Sequence, residues 1–401
     1  MIERIKAKLR YDINLLFAKI FRYKKGSNKI FRLQFVSIAI GVALTLSSIG
    51  LVLYKQLLSG KTKFAKKVNQ STALPSSFTV PSASPIALSK NIDDSELTYN
   101  IKTSPQFTKN AKLQTIIDEV VTSVKDKQFS TEPLSITLIN LKTSNYAGYQ
   151  QDKFRYPASV VKLFWMVYLY AQIEKGILSE ADFSQYLDEM IKNSDNEAAS
   201  HILDRITDTQ YQESIQGEEY TSWKNKRLQV NQYFQQAGFD KINVSQKTFP
   251  ISDLEFSVPK GSDLKLRGNP QNPIRNQIST QQVARLLYEI YKEQSVSATS
   301  SKKMAKLLTI DSQIRNIKKD EQDSDEFNSV RGFLSEDLPN NVRFSGKAGL
   351  TTESRNDAAI IATRDGKATY ILIVFADDSS YAEDWNIFPN ISELVFKRMT
   401  N

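Results

Sequence analysis

The segment PASVVKLFWMVYLYAQI, residues 157–173, is the stretch of this sequence that decides the fold prediction. Apolar residues fill almost every position after Lys162, which predicts a helix that is buried on all sides. Ser159 and Lys162 are three residues apart and therefore share one face of that helix. Because a buried lysine must be paired, hydrogen-bonded or neutral, the pattern indicates a serine hydroxyl beside a candidate base. The spacing alone also occurs by chance in a chain of this length.

Two further polar motifs follow along the chain. The S-D-N sequence at 194–196 lies between two predicted helices, where short polar side chains can cap the second helix. The K-A-G sequence at 347–349 lies on a predicted strand, where glycine permits close approach of a ligand to the backbone. Each motif taken alone has a simpler explanation, which is a helix cap for the first and an ordinary strand lysine for the second.

Predicted strands flank this helical middle on both sides. Two lie before it (134–141 and 146–150) and three after it (342–350, 357–364 and 368–376), the last two joined by the hairpin signal Asp365-Gly366. Predicted helices cover residues 111–127, 158–175, 180–193, 197–205, 229–237, 280–293 and 383–398. Since strands from both ends can share one sheet, the predicted class is α+β. An antiparallel five-stranded sheet is flanked by helices and joined to an all-helical subdomain.

Charge and composition exclude several classes of protein. Residues 1–69 carry fifteen Lys and Arg against two acidic residues, so the excess of positive charge belongs to the N-terminal part of the chain. A nucleic-acid surface needs basic residues on the folded domain, and none is predicted. The chain has no cysteine and a single histidine, His201, which is predicted to be structural. Disulfides, thiol nucleophiles and transition-metal sites are therefore excluded, and no cofactor is predicted.

The N-terminal part is predicted to be a membrane anchor. Residues 35–54 form an uncharged apolar stretch of the length that a transmembrane helix needs, although a cleaved signal peptide is the alternative. Residues 1–34 are a basic segment, either a helix on the membrane surface or a solvated tail. Because ten Lys and Arg precede the apolar stretch and five follow it, the N-terminus is predicted to be cytoplasmic. Residues 55–105 form a Ser/Thr/Pro-rich linker, and 106–401 one domain.

Taken together, the motifs S-x-x-K, S-D-N and K-x-G occur in the order typical of class A β-lactamases and penicillin-binding proteins, and the chain resembles that family. The resemblance extends over most of residues 106–401. It implies that Ser159 is the nucleophile that becomes acylated and that Lys162 accepts its proton. It also implies that Ser194 passes a proton to the leaving nitrogen.

The resemblance also implies a set of substrate contacts. Asn196 is expected to bind the amide side chain of the substrate, and Lys347 its carboxylate. The backbone N–H groups of Ser159 and Leu350 are expected to form the oxyanion hole, with Gly349 beside them. Arg355 is either a second partner of the substrate carboxylate or a surface residue paired with Asp357.

Two positions depart from the family pattern. Residue 348 is Ala where the family usually carries Thr or Ser, so a hydroxyl contact is lost unless Thr351 or Thr352 replaces it. The E-x-x-x-N segment that supplies the deacylating base of class A β-lactamases is absent between residues 197 and 280. Glu255, with Asp253 close by, is the candidate substitute.

The resemblance leads to a functional expectation with two alternatives. The chain is expected to be a membrane-anchored serine acyl hydrolase that opens β-lactams through a Ser159 acyl-enzyme. The alternatives are a D-Ala-D-Ala peptidase acting on peptidoglycan stem peptides and a catalytically silent relative that binds the cell wall. The expected location is the bacterial cytoplasmic membrane, with a single span and an extracytoplasmic domain.

Overall fold

The computed structural model describes residues 97–101, 103–320 and 327–401. The predicted basic segment 1–34, the predicted span 35–54 and most of the predicted linker 55–105 lie outside these residues. Within the described ranges, no helix combines the length and the hydropathy that crossing a membrane requires.

A seven-stranded sheet forms the centre of the domain, in the spatial order β1-β3-β2-β7-β6-β5-β4. The strands are β1 (Thr108–Lys109), β2 (Leu134–Asn140), β3 (Asn145–Tyr149), β4 (Thr309–Ile310), β5 (Val342–Leu350), β6 (Arg355–Thr363) and β7 (Thr369–Ala376). The prediction of a five-stranded antiparallel sheet is wrong, because β1 and β4 are additional and β1 pairs with β3 in parallel. Both missed strands have two residues, too few to show alternation.

Helices cover both faces of the sheet, which confirms the α+β class. They are α1 (Ala111–Asp126), α2 (Lys162–Glu174), α3 (Ser184–Lys192), α4 (Asn196–Ile206), α5 (Gly217–Gln235), α6 (Gly261–Leu266), α7 (Thr280–Tyr291), α8 (Ala298–Leu308), α9 (Ser312–Asp320), α10 (Ser379–Glu383) and α11 (Ile387–Thr400). The predicted helix 158–175 begins as a 3₁₀ turn, Ala158–Val161, before α2. Helices α6, α8, α9 and α10 and the part of α5 before residue 229 were not predicted from the sequence.

Strand β7 shows how the sheet buries both faces. Its residues Leu372 and Val374 pack in one core with α1 and α11, whereas Ile371 and Ile373 pack in the other core with α2 and α7. This alternation is the period of two that a strand requires.

Helix α2 passes through the second core, as its continuous apolar sequence predicts. Every residue from Leu163 to Ala171 is at most 4% exposed. Lys162, the first residue of α2, is also fully buried, so its charged group needs partners inside the protein.

Candidate active site

Ser159 lies in the 3₁₀ turn that leads into α2, half-buried between the buried residues Ala158 and Val160. Ala158 has a φ of +46°, in the left-handed region that favours glycine, so the backbone is strained next to Ser159. Strand β5 passes close by, because a Cβ on Gly349 would lie only 2.8 Å from the Ser159 backbone nitrogen. Gly349 therefore leaves room for the Ser159 backbone, whereas the sequence suggested that a ligand approaches the strand at this position.

The Lys162 amine is buried at the turn between α3 and α4. Its Nζ donates to the Ser194 carbonyl oxygen at 2.6 Å and to Asn196 Oδ1 at 2.9 Å, and lies 3.4 Å from Ser194 Oγ. Burial and the nearby charge of Lys347 lower the pKa of Lys162 well below its usual value, against the opposing effect of Asp195. A neutral amine has two N–H groups for the two short contacts and one lone pair that can accept a hydroxyl proton.

Ser194 lies between two lysines. It has a φ of +56°, and the following Asp195 caps α4 by accepting a hydrogen bond from the Ala198 N–H at 2.6 Å. Lys347 Nζ donates to Ser194 Oγ at 2.8 Å. The S-D-N sequence thus caps a helix through its second residue and contacts both lysines through its first.

Lys347 is buried on β5, where its Nζ also donates to the Ala348 carbonyl at 3.0 Å. Burial lowers the pKa of Lys347 to about 7, while Asp357 opposes that shift. Asp357 is the register partner of Ala348 on β6, and burial raises the pKa of its carboxyl to about 7. The sequence analysis considered Asp357 only as a partner of Arg355. A carboxylate inside an otherwise apolar strand, opposite the K-A-G motif, is the sequence feature that could have identified Asp357.

This geometry can be compared with known families. The sequence model of the beta-lactamase enzyme family matches residues 112–183 and 179–399, which include the three motifs and most of the sheet. The chain belongs to the beta-lactamase enzyme family. The resemblance that the motif order indicates is therefore confirmed at the level of the family.

Solved structures are similar to this beta-lactamase family member at low sequence identity. TLA-1 extended-spectrum beta-lactamase is 13% identical with a TM-score of 0.50, over 72% of this chain and 100% of that chain. A beta-lactamase from Sphaerobacter thermophilus is 15% identical with a TM-score of 0.48, over 71% and 97%. PBP-A is 17% identical with a TM-score of 0.46, over 73% and 98%. No curated protein matches the sequence.

Glu255, the predicted substitute for the deacylating glutamate of the beta-lactamase family, lies in an exposed turn with a φ of +53°. Among the described residues, no contact joins its carboxylate to Ser159. A different acid holds this turn, since Glu197 Oε1 accepts hydrogen bonds from the Ser252 N–H at 2.7 Å and the Asp253 N–H at 3.2 Å. The structure thus does not show Glu255 in contact with Ser159. Glu197 could not be predicted as the residue that holds this turn, because its partners are backbone N–H groups.

Arg355 has neither of the two roles suggested by the sequence. It is fully buried, and its guanidinium donates to the carbonyls of Tyr381 at 2.9 Å, Gly332 at 2.7 Å and Ala382 at 2.6 Å. It also packs over the ring of Trp385. Because these carbonyls occupy the guanidinium, the prediction of a substrate partner or a surface arginine is wrong, and Arg355 joins β6 to α10 instead.

Leu350 and Thr351 lie where β5 ends. Leu350 is the last residue of the strand, immediately after the glycine that contacts the Ser159 turn. The Thr351 hydroxyl lies 2.9 Å from Ser354 Oγ and accepts a hydrogen bond from the Glu353 N–H at 3.1 Å. The threonine is therefore engaged in its own turn, which makes it a poor replacement for the hydroxyl missing at Ala348.

His201 lies away from the serine. Its ring stacks on Tyr186 with the ring centroids 4.0 Å apart, which fits the structural role predicted for it. In the part of the chain that the structure describes, no group of three His, Cys, Asp or Glu side chains could hold a metal ion.

Proposed function

We propose that the chain is an active-site serine acyl hydrolase that opens β-lactam amides through an ester with Ser159. The observation that carries the proposal is the position of Ser194 Oγ, 2.8 Å from Lys347 Nζ and 3.4 Å from Lys162 Nζ. A hydroxyl between two buried amines, beside a strained serine turn, provides a path for protons to and from a nucleophile.

The proposed acylation uses these groups in sequence. Neutral Lys162 accepts the proton of the Ser159 hydroxyl while the serine oxygen bonds to the carbonyl carbon. The backbone N–H groups of Ser159 and Leu350 stabilise the negative charge that develops on the carbonyl oxygen. As the carbon–nitrogen bond breaks, the nitrogen takes a proton from Ser194, which regains one from the lysines. The opened β-lactam remains attached to Ser159 with no atom lost.

Two side chains are proposed to orient the substrate. Lys347 supplies positive charge for a carboxylate at the end of β5. Asn196 already accepts a hydrogen bond from Lys162 through Oδ1, so its amide NH₂ is the group that can donate to a substrate carbonyl. Gly349 keeps β5 close enough to Ser159 for both to act on one substrate.

The ester is expected to form faster than it is hydrolysed. Hydrogen bonds join Lys162, Ser194 and Lys347 to one another directly after the Ser159 turn, although no described contact reaches the Ser159 hydroxyl itself. Glu255, in contrast, is exposed in a separate turn. Intact-protein mass after mixing full-length protein with penicillin G is expected to show an adduct that persists for minutes, with slow turnover. Glu255→Gln and Asp253→Asn are expected to leave the adduct lifetime unchanged. Rapid steady hydrolysis by the parent protein would show that an efficient deacylating base exists.

A D-Ala-D-Ala peptidase of peptidoglycan is the second candidate. The exposed position of Glu255 favours it, since an efficient β-lactamase needs a deacylating base beside the ester. A long-lived penicillin adduct is expected for both candidates, so release of D-alanine from a peptide that ends in D-Ala-D-Ala is the measurement that separates them, and such release identifies the peptidase. The absence of any adduct indicates a silent wall-binding relative.

The acylation rate is expected to have a bell-shaped pH dependence. At low pH Lys162 is protonated and cannot accept the Ser159 proton. Above about pH 7 Lys347 loses the charge that attracts a substrate carboxylate, because burial lowers its pKa to about 7. Asp357→Asn removes a carboxylate that stabilises the charged amine of Lys347. The pKa of Lys347, and with it the alkaline limb of the profile, is therefore expected to move to lower pH. Stopped-flow acylation measured from pH 5 to 10 tests this, and an alkaline limb that does not move contradicts the assignment to Lys347.

We also propose that residues 35–54 anchor the protein in the cytoplasmic membrane with the domain outside. The proposal is supported by the ten basic residues before this stretch and the five after it. Protease added to intact cells or spheroplasts is expected to cut within residues 55–105 and release the domain. A domain that stays fully protected until the membrane is dissolved contradicts this orientation.

A further inference from the structure

A cleft of about 760 Å³ opens beside Lys347 and Ala348 on β5. Helices α3, α8 and α9 and the short strand β4 form its walls, and its apolar lining includes Leu187, Ile191, Leu307, Ile310 and Ile314. This volume is within the range of about 300–1,000 Å³ in which proteins bind small molecules. The cleft is thus large enough for a substrate segment beyond the reacting bond.

The cleft lies next to the residues that hold Ser194, although neither Ser159 nor Ser194 lines it. Asn193 lies at its edge and directly precedes Ser194 in the chain. Lys347, also at its edge, donates to Ser194 Oγ at 2.8 Å. Since Ser194 is the proposed proton donor to the leaving nitrogen, the amine half of a substrate would emerge at this point.

Few groups near the K-A-G motif can bind the carboxylate of a substrate that ends there. Ala348 has no hydroxyl, and Arg355 is occupied by three backbone carbonyls. Asp357 places a buried carboxyl opposite Ala348. The cations nearest the K-A-G motif in the described cleft lining are Lys347, whose amine already donates to Ser194 Oγ and the Ala348 carbonyl, and Lys318. The apolar part of the cleft offers further contact area to a substrate whose chain continues past this point.

We infer that this enzyme is built to cut an internal amide of a peptide whose chain continues, with apolar side chains, on the amine side of the scissile bond. The inference rests on the proposed function, because it uses the same serine and the same proton donor. The acyl half forms the ester with Ser159, the amine half leaves with a proton from Ser194, and water then hydrolyses the ester.

Two synthetic peptides with the same acyl half test this inference. One ends in D-Ala-D-Ala with a free carboxylate, and the other continues with two leucines after the second D-Ala. With full-length protein, kcat/KM for cutting the D-Ala–D-Ala bond is expected to be at least about tenfold higher for the longer peptide, the factor that one buried apolar group typically contributes. Equal rates, or a preference for the free carboxylate, would overturn the inference.

A pair of variants on α9 connects the preference to the cleft. Ile314 is 46% exposed and lines the cleft, so Ile314→Trp is expected to fill it without disturbing a core and to abolish the preference. Ile317 is 70% exposed on the same helix and does not line the cleft, so Ile317→Trp is the matched control that keeps the preference. A preference that survives Ile314→Trp contradicts the inference.

Penicillin distinguishes the two possible failures. Ile317→Trp, which lies outside the cleft, is expected to form the penicillin adduct at the parental rate. If the parent protein forms the adduct but shows no preference between the peptides, the inference alone fails. If it forms no adduct and cuts neither peptide, the proposed function fails and the inference with it.

Discussion

Replacing Ser159 by alanine is expected to abolish covalent labelling of the full-length protein by a fluorescent penicillin. The label forms only when an oxygen nucleophile attacks the β-lactam carbonyl, and Lys162 and Ser194 cannot supply a stable ester in its place. Loss of the nucleophile costs about 10⁶-fold in kcat in a well-studied serine hydrolase, so no band should be visible on a gel after the time that saturates the parent protein.

A matched control separates the loss of the nucleophile from misfolding. Ser222→Ala removes an exposed serine on α5, outside the cleft, and is expected to label like the parent protein. The thermal unfolding midpoint of Ser159→Ala should stay close to the parental value, because the side chain is half-buried and alanine fits the same turn. Labelling that survives in Ser159→Ala would show that another residue is the nucleophile.

Replacing Lys162 by methionine is expected to slow acylation by about 10²- to 10⁴-fold, the usual contribution of a positioned general base. Methionine fills the buried space but cannot accept a proton or donate to the Ser194 carbonyl and Asn196 Oδ1. Stopped-flow measurement of the acylation rate gives the magnitude. Acylation at the parental rate would mean that Lys162 only supports the turn of Ser194.

The pH profile distinguishes a base from a structural support. In Lys162→Met the acidic limb of the acylation profile is expected to disappear, since the group whose deprotonation it reports is gone. A purely structural role would leave the shape of the profile unchanged. The unfilled hydrogen bonds at Ser194 and Asn196 are expected to lower stability by about 1–3 kcal/mol, measurable by urea unfolding.

The parts of the fold that were predictable have strong periodic signals. The continuous apolar run of α2 predicts a fully buried helix, and strands β2 and β7 match short apolar runs in the sequence. Strand β4 and helices α8 and α9 were missed because β4 has two residues and the helices are rich in Ser, Lys and other polar residues. These missed elements form most of the cleft walls, so the cleft itself could not be predicted.

The site residues that belong to sequence motifs were predictable, whereas the contacts that depend on tertiary packing were not. The spacing of Ser159 and Lys162 follows from helix geometry, but the meeting of Lys162, Ser194 and Lys347 depends on how three elements pack. Arg355 shows the limit most clearly. Its position after the K-A-G motif suggests a substrate contact, yet its partners are carbonyls from distant loops that no local pattern indicates.

Peptide mapping of the penicillin adduct tests the central proposal most directly. Trypsin cuts after Arg155 and after Lys162, which releases YPASVVK, residues 156–162, with Ser159 as its one serine. After brief incubation of the full-length protein with penicillin G, we expect this peptide to gain the mass of one intact penicillin molecule, located on Ser159 by fragmentation. An unmodified 156–162 peptide from a protein that carries the adduct elsewhere would contradict the assignment of Ser159 as the nucleophile.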